Sequence, residues 1–363
     1  MLKKFPILKW TLLTLVGLVV ILVSFGFWFK GLIPPKNNTI VNSQLKDLPY
    51  LTENVPSMRG KILTVVTSAQ TMGESGKSTG YELTELARAY YVFQANGFEV
   101  DIASPLGGTP RVIIDDEDMG AYDFAFLNDT SAQRKAKHTI PLNEVIKEDY
   151  EAVFFVGGKG AMFDFPENES IQNLVREYYQ NDKVIGAVCH GPAALVNVTL
   201  ENGSSILENK RISSFTNAEE LLLIPDAASI FPFLLQDKLV EQGARFNEGG
   251  MYLEKISHDK KLITGQNPWS VWPVAETMVA ELGYRPKFRE VTDEENAVSV
   301  LLTYHKLGVP KAKEMIVHML EVQKTPINRV LVAKHGIIAA MQGDVSSFFE
   351  IIGLVSFIKQ LDV

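Results

Sequence analysis

Residues 185–195 read IGAVCHGPAAL and hold the only cysteine of the chain, Cys189. The apolar residues before it are typical of a buried strand, and the glycine and proline after His190 are typical of a sharp turn that leads into a helix. Pro192 suits the first helical position, because its missing N–H would have no partner there. This strand, turn and helix resemble a nucleophile elbow, which holds a side chain at the carboxyl edge of a parallel sheet.

The position of Cys189 predicts a reactive thiol. A thiolate at a helix N-terminus is stabilised by the helix dipole, so we expect the pKa of this thiol to fall below the value of about 8.5 for free cysteine. The alternative is a buried structural cysteine, because a lone cysteine is often an inert core residue.

The sequence around this stretch alternates between strand-like and helical patterns. Strand-like runs are KILTVVTSA, FEVDIASP, EAVFFVGG, KVIGAV and RISSFT, and helical patterns cover residues 82–96, 171–180 and 218–223 and begin again at Pro192. MYLEKISHDKKLITG reads as a hairpin that turns at His258 and Asp259, before a closing helix over residues 268–282. The alternation predicts an α/β fold, a doubly wound and mostly parallel sheet in a flavodoxin-like sandwich, over residues 59–284.

The N-terminal region contains a long stretch without charge. About 20 residues from Trp10 to Phe29 would span roughly 30 Å as a helix, which matches a bilayer core. We therefore expect an uncleaved transmembrane signal anchor at residues 10–30, because no small-residue cleavage site follows as it would after a signal peptide. The lysines before this stretch favour a short cytoplasmic tail of residues 1–9 and a catalytic domain outside the cytoplasm.

Two further segments flank the expected sheet domain. Residues 31–58 are polar and punctuated by proline, which is typical of a tether. Residues 285–363 have helical patterns, with apolar stretches at 329–341 and 346–358 that are each too short to cross a bilayer. This small C-terminal helical extension packs on the sheet domain, on a second subunit or on the membrane surface, and a homodimer stays open.

Composition and motifs exclude several classes of partner. A formal net charge of −8 lacks the basic excess that a nucleic acid partner requires. One cysteine and six histidines show no metal-ligand spacing. Neither a phosphate-binding loop nor a GxGxxG follows the first strand, so we expect neither a nucleotide cofactor nor a metal.

Five segments of the sequence, taken together, resemble one family. GYELTELARAYYVFQANGFEVDIASPLGG, FFVGGKGAMFDFP, AVCHGP, SSFTNAEE and LITGQNP occur in the order found in the DJ-1/PfpI superfamily, with its class I glutamine amidotransferase-like fold, and resemble its Hsp31-like, glyoxalase III-like branch. The resemblance covers about residues 59–284. It implies that Cys189 is the nucleophile with His190 beside it, and that Glu85 hydrogen-bonds the sulfur while Glu220 orients the histidine.

The same resemblance implies that backbone N–H groups at Gly158 and His190 stabilise an oxyanion. One position departs from it, because Hsp31-like proteins commonly carry a histidine where this chain has Lys159, which leaves the substrate preference open.

Spacing alone does not select the acidic residues. On the predicted helix, Glu82 lies nearer the apolar stripe than Glu85 does. Glu219 is as good a candidate as Glu220, because both would lie in the first turn of a helix, where the dipole favours carboxylates. His190 has the alternative role of capping the turn.

The resemblance implies a cofactor-independent cysteine enzyme acting on a small carbonyl compound. Methylglyoxal or a related 2-oxoaldehyde would become a hydroxy acid through a hemithioacetal on Cys189, in a glyoxalase III-type, D-lactate dehydratase-like lyase reaction. The alternatives are a cysteine peptidase or amidohydrolase, and a non-enzymatic chaperone or thiol redox sensor. A glutaminase is disfavoured, because its catalytic histidine and glutamate usually come from an H-x-E motif and none of the six histidines begins one.

Overall fold

A computed structural model describes residues 6–35, 38–115 and 118–361 of the chain. The described residues fall into two compact units. One unit spans Asn38–Val291 and contains the sheet, and the other combines the N-terminal helix with the residues from Thr292 onward.

The described strands are β1 (Lys61–Val65), β2 (Tyr81–Glu82), β3 (Glu99–Ser104), β4 (Val112–Ile113), β5 (Ile140–Pro141), β6 (Ala152–Phe155), β7 (Val184–Val188), β8 (Arg211–Ile212), β9 (Arg245–Phe246), β10 (Ile256–Asp259) and β11 (Leu262–Gly265). The described α-helices are α1 (Pro6–Leu32), α2 (Pro49–Thr52), α3 (Leu83–Ala95), α4 (Ala121–Asn128), α5 (Thr130–Lys137), α6 (Ala161–Asp164), α7 (Glu169–Gln180), α8 (Asn217–Leu223), α9 (Ala227–Ile230), α10 (Leu235–Glu241), α11 (Val271–Glu281), α12 (Asp293–Val317), α13 (Arg329–Met341) and α14 (Val345–Leu361). Short 3₁₀ segments lie at Ile40–Asn42, Leu45–Asp47, Gly73–Ser75, Leu142–Glu144, Lys147–Asp149, Gly191–Leu195 and Pro268–Ser270, and a π-helical segment lies at His318–Gln323.

The central sheet has seven strands in the order β10-β11-β7-β6-β1-β3-β5. Every neighbouring pair is parallel except β10 and β11. The predicted mostly parallel α/β sheet therefore fits the structure. RISSFT is an exception among the expected strands, because β8 pairs with β9 in a separate two-stranded sheet rather than joining the central one.

Two hydrophobic clusters cover the two faces of the central sheet. Ile62 and Phe154 belong to one cluster, and their chain neighbours Leu63 and Phe155 belong to the other. Successive side chains of a strand point to opposite faces, so each apolar strand contributes to both clusters. Helices α3 and α11 supply the first cluster, whereas α7 and the 3₁₀ segment at Gly191–Leu195 supply the second.

Most element boundaries lie within two residues of the sequence patterns, and two differ for local reasons. The expected helix from Pro192 is a five-residue 3₁₀ segment, Gly191–Leu195. The hairpin turns two residues later than expected, because His258 and Asp259 still belong to β10 and Lys260 takes the left-handed conformation, with φ of 56°. That conformation is the one a tight turn between antiparallel strands requires.

The expected transmembrane anchor at residues 10–30 is wrong. Helix α1 covers Pro6–Leu32, but among the residues that the structure describes no helix is both long and apolar enough to cross a membrane. An uncharged run is necessary for a bilayer span but does not by itself establish one. Two further predictions depended on this anchor and are wrong for the same reason. They are the membrane as a partner through residues 10–30 and the extracytoplasmic placement of the catalytic domain. The expected cytoplasmic tail, residues 1–9, lies partly outside the described residues.

The segment expected to be a tether is partly packed. Residues 38–58 belong to the sheet unit, and Leu48 and Tyr50 are buried within it. The Asn96 side chain donates a hydrogen bond to the Tyr50 hydroxyl at 3.3 Å. The second unit has its own apolar contacts, in which α13 and α14 pack as a pair and the Tyr304 hydroxyl of α12 donates to Glu350 Oε2 of α14 at 2.8 Å.

Candidate active site

Cys189 occupies a strained turn directly after β7. Its φ is 57°, in the left-handed region that costs an ordinary residue about 1 kcal/mol or more. Two backbone hydrogen bonds hold the turn, because the Cys189 N–H donates to the Gly265 carbonyl at 2.9 Å and the Cys189 carbonyl accepts from the Phe215 N–H at 2.9 Å. Neighbouring segments thus fix the conformation of a residue that would otherwise avoid it, which is the geometry of the predicted elbow.

A thiol, an imidazole and a carboxylate form a hydrogen-bonded chain at this turn. The Cys189 Sγ is 3.3 Å from Nδ1 of His190, and Nε2 of His190 is 2.5 Å from Oε2 of Glu220 in the first turn of α8. All three residues are buried. The His190 ring packs against Phe215, with the ring centroids 4.6 Å apart, so both its hydrogen bonds and its ring plane are fixed.

Glu219 has a different role from its neighbour Glu220. Its Oε2 accepts hydrogen bonds from the Thr216 N–H at 2.9 Å and from the Thr216 hydroxyl at 3.0 Å. Its Oε1 accepts from three more donors: the Tyr252 N–H, the Gln266 amide and the Asn267 amide. Glu219 therefore caps α8 and ties it to two loops, whereas Glu220 reaches the histidine.

Glu85 reaches the thiol from a different helix, α3. It lies in the first turn of α3, is fully buried and hydrogen-bonds the Cys189 side chain. Its Oε2 accepts from the Gly157 N–H at 2.7 Å, while its Oε1 accepts from no donor in the described part of the chain. Glu82, the competing candidate, is the N-cap residue of α3 and is half-buried.

The environment of Glu85 keeps its proton on at neutral pH. Burial raises the pKa of Glu85 to about 8, and the nearby charge of Glu82 adds to the rise. A protonated carboxyl has one O–H to donate, and its buried Oε1 has no other hydrogen-bond partner among the described residues. Glu85 is thus suited to donate a hydrogen bond to sulfur or to an oxygen bound next to it.

The expected lowering of the Cys189 pKa is not what the structure supports. Burial raises the pKa of the Cys189 thiol well above its ordinary value, and the charges of Glu85 and Glu82 act in the same direction, against a smaller opposing effect of Lys159. The 3₁₀ segment after the cysteine is too short to carry the dipole of a full helix. The resting site therefore holds a thiol and needs a base to ionise it.

His190 and Glu220 form a pair that can act as that base. Burial alone would raise the pKa of Glu220, but the charge and hydrogen bond of His190 outweigh it and hold the pKa below its ordinary value. Glu220 therefore stays a carboxylate and favours a positive charge on the imidazole when His190 takes the thiol proton.

Backbone donors lie beside the thiol. The parallel pairing of β6 and β7 places Phe155 opposite Ala187, so the following Gly157 comes opposite Cys189. Gly158 has φ of 100°, and a Cβ there would lie 2.5 Å from the Gly80 carbonyl oxygen, so only glycine fits. The N–H groups of Gly158 and His190 donate to no group that the structure describes, which leaves them for a bound oxygen.

Sequence reasoning missed the aromatic wall around His190. The rings of Phe215 and Phe231 lie near the His190 ring, and the Tyr252 ring packs against Phe215. Phe215 stands in SSFTNAEE, so the motif carried the signal for this residue, whereas the other two come from segments without one. Among the described residues, no group of three or more His, Cys, Asp or Glu side chains is arranged to hold a metal ion.

A family model described as the DJ-1/PfpI family matches residues 77–281, which is over half of the 363 residues. The chain belongs to the DJ-1/PfpI family. All the predicted site residues of this DJ-1/PfpI protein lie inside the matched region.

Individual relatives show which members of the family this chain is similar to. This DJ-1/PfpI protein is 32% identical over 225 residues to the glutathione-independent glyoxalase HSP31 of Saccharomyces cerevisiae, which covers 59% of this chain and 94% of the relative. It is 29% identical over 217 residues to the glutathione-independent glyoxalase hsp3102 of Schizosaccharomyces pombe, covering 57% and 90%. Among solved structures it is similar to glyoxalase III from Candida albicans, with 27% identity, a TM-score of 0.57 and coverage of 62% and 98%.

Proposed function

We propose that this protein is a glutathione-independent glyoxalase that converts methylglyoxal or a related 2-oxoaldehyde to the 2-hydroxy acid. The observation that carries the proposal is the hydrogen-bonded chain from Cys189 through His190 to Glu220, together with the protonated Glu85 that also hydrogen-bonds the sulfur. Similarity to named glutathione-independent glyoxalases of two yeasts supports the same reaction. The protein's own thiol would bond to the aldehyde, so no glutathione would be needed.

In the proposed first step, His190 Nδ1 takes the proton of the Cys189 thiol as the sulfur bonds to the aldehyde carbon. The carbonyl oxygen becomes an oxyanion, which the N–H groups of Gly158 and His190 would bind. Glu85 then gives its proton to this oxygen, which leaves a neutral hemithioacetal and a Glu85 carboxylate.

The second step is an isomerisation. The Glu85 carboxylate removes the hydrogen from the carbon bonded to sulfur and returns it to the neighbouring carbon, while His190 moves a proton from the first oxygen to the second. No electrons leave or enter the site, because one carbon is oxidised as the other is reduced. The product is a thioester of the hydroxy acid on Cys189, which water hydrolyses to the free acid and the thiol.

Burial of the thiol favours a small substrate over a peptide. Cys189 is 4% exposed and His190 is 2% exposed, and the aromatic rings of Phe215 and Phe231 pack on the histidine. A peptidase needs its nucleophile at the base of an open cleft, where an extended chain can reach it. A three-carbon aldehyde has no such requirement.

The test is a glutathione-free assay on the full chain. We expect the wild type to turn methylglyoxal into lactate over many cycles and Cys189→Ala to do so no faster than buffer. Unfolded casein serves as the comparison substrate. Casein cleavage that depends on Cys189, with no lactate from methylglyoxal, would replace this proposal with the peptidase alternative.

A further inference from the structure

Lys159 is the half-buried cation of the turn between β6 and α6. In the part of the chain that the structure describes, its ammonium has no hydrogen-bond or ion-pair partner. The turn begins at Gly157, where a Cβ would come within 2.8 Å of the Cys189 Cβ. Lys159 therefore extends from a segment that is in contact with the nucleophile.

Three other elements converge on the same place. Glu82 is the N-cap residue of α3, Cys189 follows β7 and Glu220 lies in α8, and the charge of Lys159 acts to lower the pKa of each of them. The backbone contacts agree with this, because the Glu82 N–H donates to the Gly157 carbonyl at 3.3 Å and a Cβ at Gly158 would lie 2.9 Å from the Glu82 nitrogen. The residues that lead into Lys159 therefore lie between Cys189 and the start of α3.

The neighbouring acid only partly balances this charge. Burial raises the pKa of Glu82 to about 7, and the charges of Asp115 and Asp118 raise it against the effect of Lys159. Near neutral pH, the Glu82 carboxyl therefore carries only part of a negative charge, and Glu220 is committed to His190. Among the described residues, Lys159 forms an ion pair with none of these acids, so its ammonium is available to a bound group.

We propose that Lys159 binds the oxygen on the carbon next to the one that Cys189 attacks. The site then selects aldehydes with an adjacent carbonyl or carboxylate oxygen over simple aldehydes. The assignment rests on the proposed function, because in a 2-oxoaldehyde this oxygen becomes negative during the isomerisation, when the ammonium stabilises it most.

Two alkylating reagents test the charge without relying on turnover. In iodoacetate the carbon next to the one that sulfur attacks is the carboxylate carbon, whereas in iodoacetamide it is the carbon of a neutral amide. Both react with the same thiolate, so the ratio of their rates is independent of the thiol pKa. We expect Lys159→Met to lower the ratio of iodoacetate to iodoacetamide rates at Cys189 about three- to tenfold, and Lys159→Arg to preserve it.

Lys260→Met is the matched control, because Lys260 is an exposed lysine in the turn before β11, at the end of that strand away from Gly265 and the thiol. Glyoxylate should protect Cys189 from iodoacetamide in the wild type, and at least threefold more of it should be needed in Lys159→Met. An unchanged rate ratio in Lys159→Met would overturn the inference.

The two experiments together can contradict either proposal without contradicting the other. If the wild type makes no lactate but the rate ratio falls in Lys159→Met, the glyoxalase function fails and the cation site is supported. If lactate forms and kcat/KM for methylglyoxal and the rate ratio are both unchanged in Lys159→Met, the glyoxalase function is supported and the role of Lys159 fails.

Discussion

His190 Nε2 lies 2.5 Å from Glu220 Oε2, whereas the carboxylate of Glu219, one residue earlier, accepts its hydrogen bonds from Thr216, Tyr252, Gln266 and Asn267. Two adjacent acids of one helix thus separate into one that faces the proposed chemistry and one that holds the helix in place. This separation provides a matched pair of variants.

Glu220→Gln should lose activity at nearly unchanged stability. The Glu220 carboxylate is no longer there to stabilise the positive charge that His190 gains with the thiol proton, so we expect kcat for methylglyoxal to fall about 100-fold or more. Glu219→Gln places an amide N–H₂ among hydrogen-bond donors and should lower the free energy of unfolding by about 2 kcal/mol, because hydrogen bonds to a buried charge are lost. Urea unfolding and initial rates on both variants give the comparison, and equal losses of kcat in the two folded variants would contradict these roles.

Glu85 predicts a pH dependence of stability. Its pKa is about 8 in the folded protein against an ordinary value of 4.5, so between these pH values the folded state keeps a proton that the unfolded state has lost. Stability therefore falls as pH rises through this window. Glu85→Gln has no such proton, so its free energy of unfolding relative to the wild type should rise steadily from pH 5 to pH 8. A constant difference in urea unfolding across that range would show that Glu85 has an ordinary pKa.

The Cys189 thiol should ionise only at a higher pH than a free cysteine. Because burial and the charges of Glu85 and Glu82 raise its pKa, the alkylation rate of Cys189 by iodoacetamide should have its midpoint above about 8.5, the value for free cysteine. Glu82→Gln removes one of these charges and should move the midpoint to lower pH. A midpoint below that of free cysteine in the wild type would restore the ionised resting thiol that the sequence alone suggested.

Backbone strain at Cys189 predicts an unusual response to glycine. The φ of 57° favours glycine over alanine, so Cys189→Gly should be more stable than Cys189→Ala by about 0.5–1 kcal/mol. Ala187, in the middle of β7, is the control, because Ala187→Gly should lose about 0.5–1 kcal/mol or more. Thermal unfolding of the three variants decides this, and a Cys189→Gly protein less stable than Cys189→Ala would show that the turn is unstrained.

Gly157→Ala should lower activity by displacing the side chains of the site. A Cβ at this position would lie 2.5 Å from Glu85 Oε2 and 2.8 Å from the Cys189 Cβ, so both side chains would have to move. We expect kcat/KM to fall at least tenfold, since displacements near 1 Å at reacting groups are costly. Gly353→Ala in α14 meets nothing within 4 Å and is the control. Full activity in Gly157→Ala would mean that Glu85 is not held against the thiol.

The elbow was accessible to sequence reasoning because its determinants are local. The apolar strand, the cysteine and the Gly-Pro pair are close together in the sequence, and the structure places Cys189 in a left-handed turn where a sharp turn was predicted. The choices of Glu85 over Glu82 and of Glu220 over Glu219 required the family motif. Helical spacing gives no information on which carboxylate a distant loop will approach.

Other features depend on tertiary contacts that no local pattern encodes. The two-residue strands, such as β8 with its partner β9, are too short to produce a period. The pKa of Cys189 was predicted in the wrong direction because complete burial outweighs the effect of a five-residue 3₁₀ segment. The anchor at residues 10–30 was inferred from an uncharged stretch of bilayer length with no cleavage site after it, and the described helices do not support it.

The most direct test of the account is to identify the covalent intermediate. The full chain is mixed with methylglyoxal, quenched in acid during turnover and digested, and the peptide that contains Cys189 is examined by mass spectrometry. We predict a lactoyl thioester on Cys189 in the wild type, and its absence in Glu85→Gln, which would stop at the hemithioacetal. Lactate production with Cys189 unmodified throughout turnover would contradict the account.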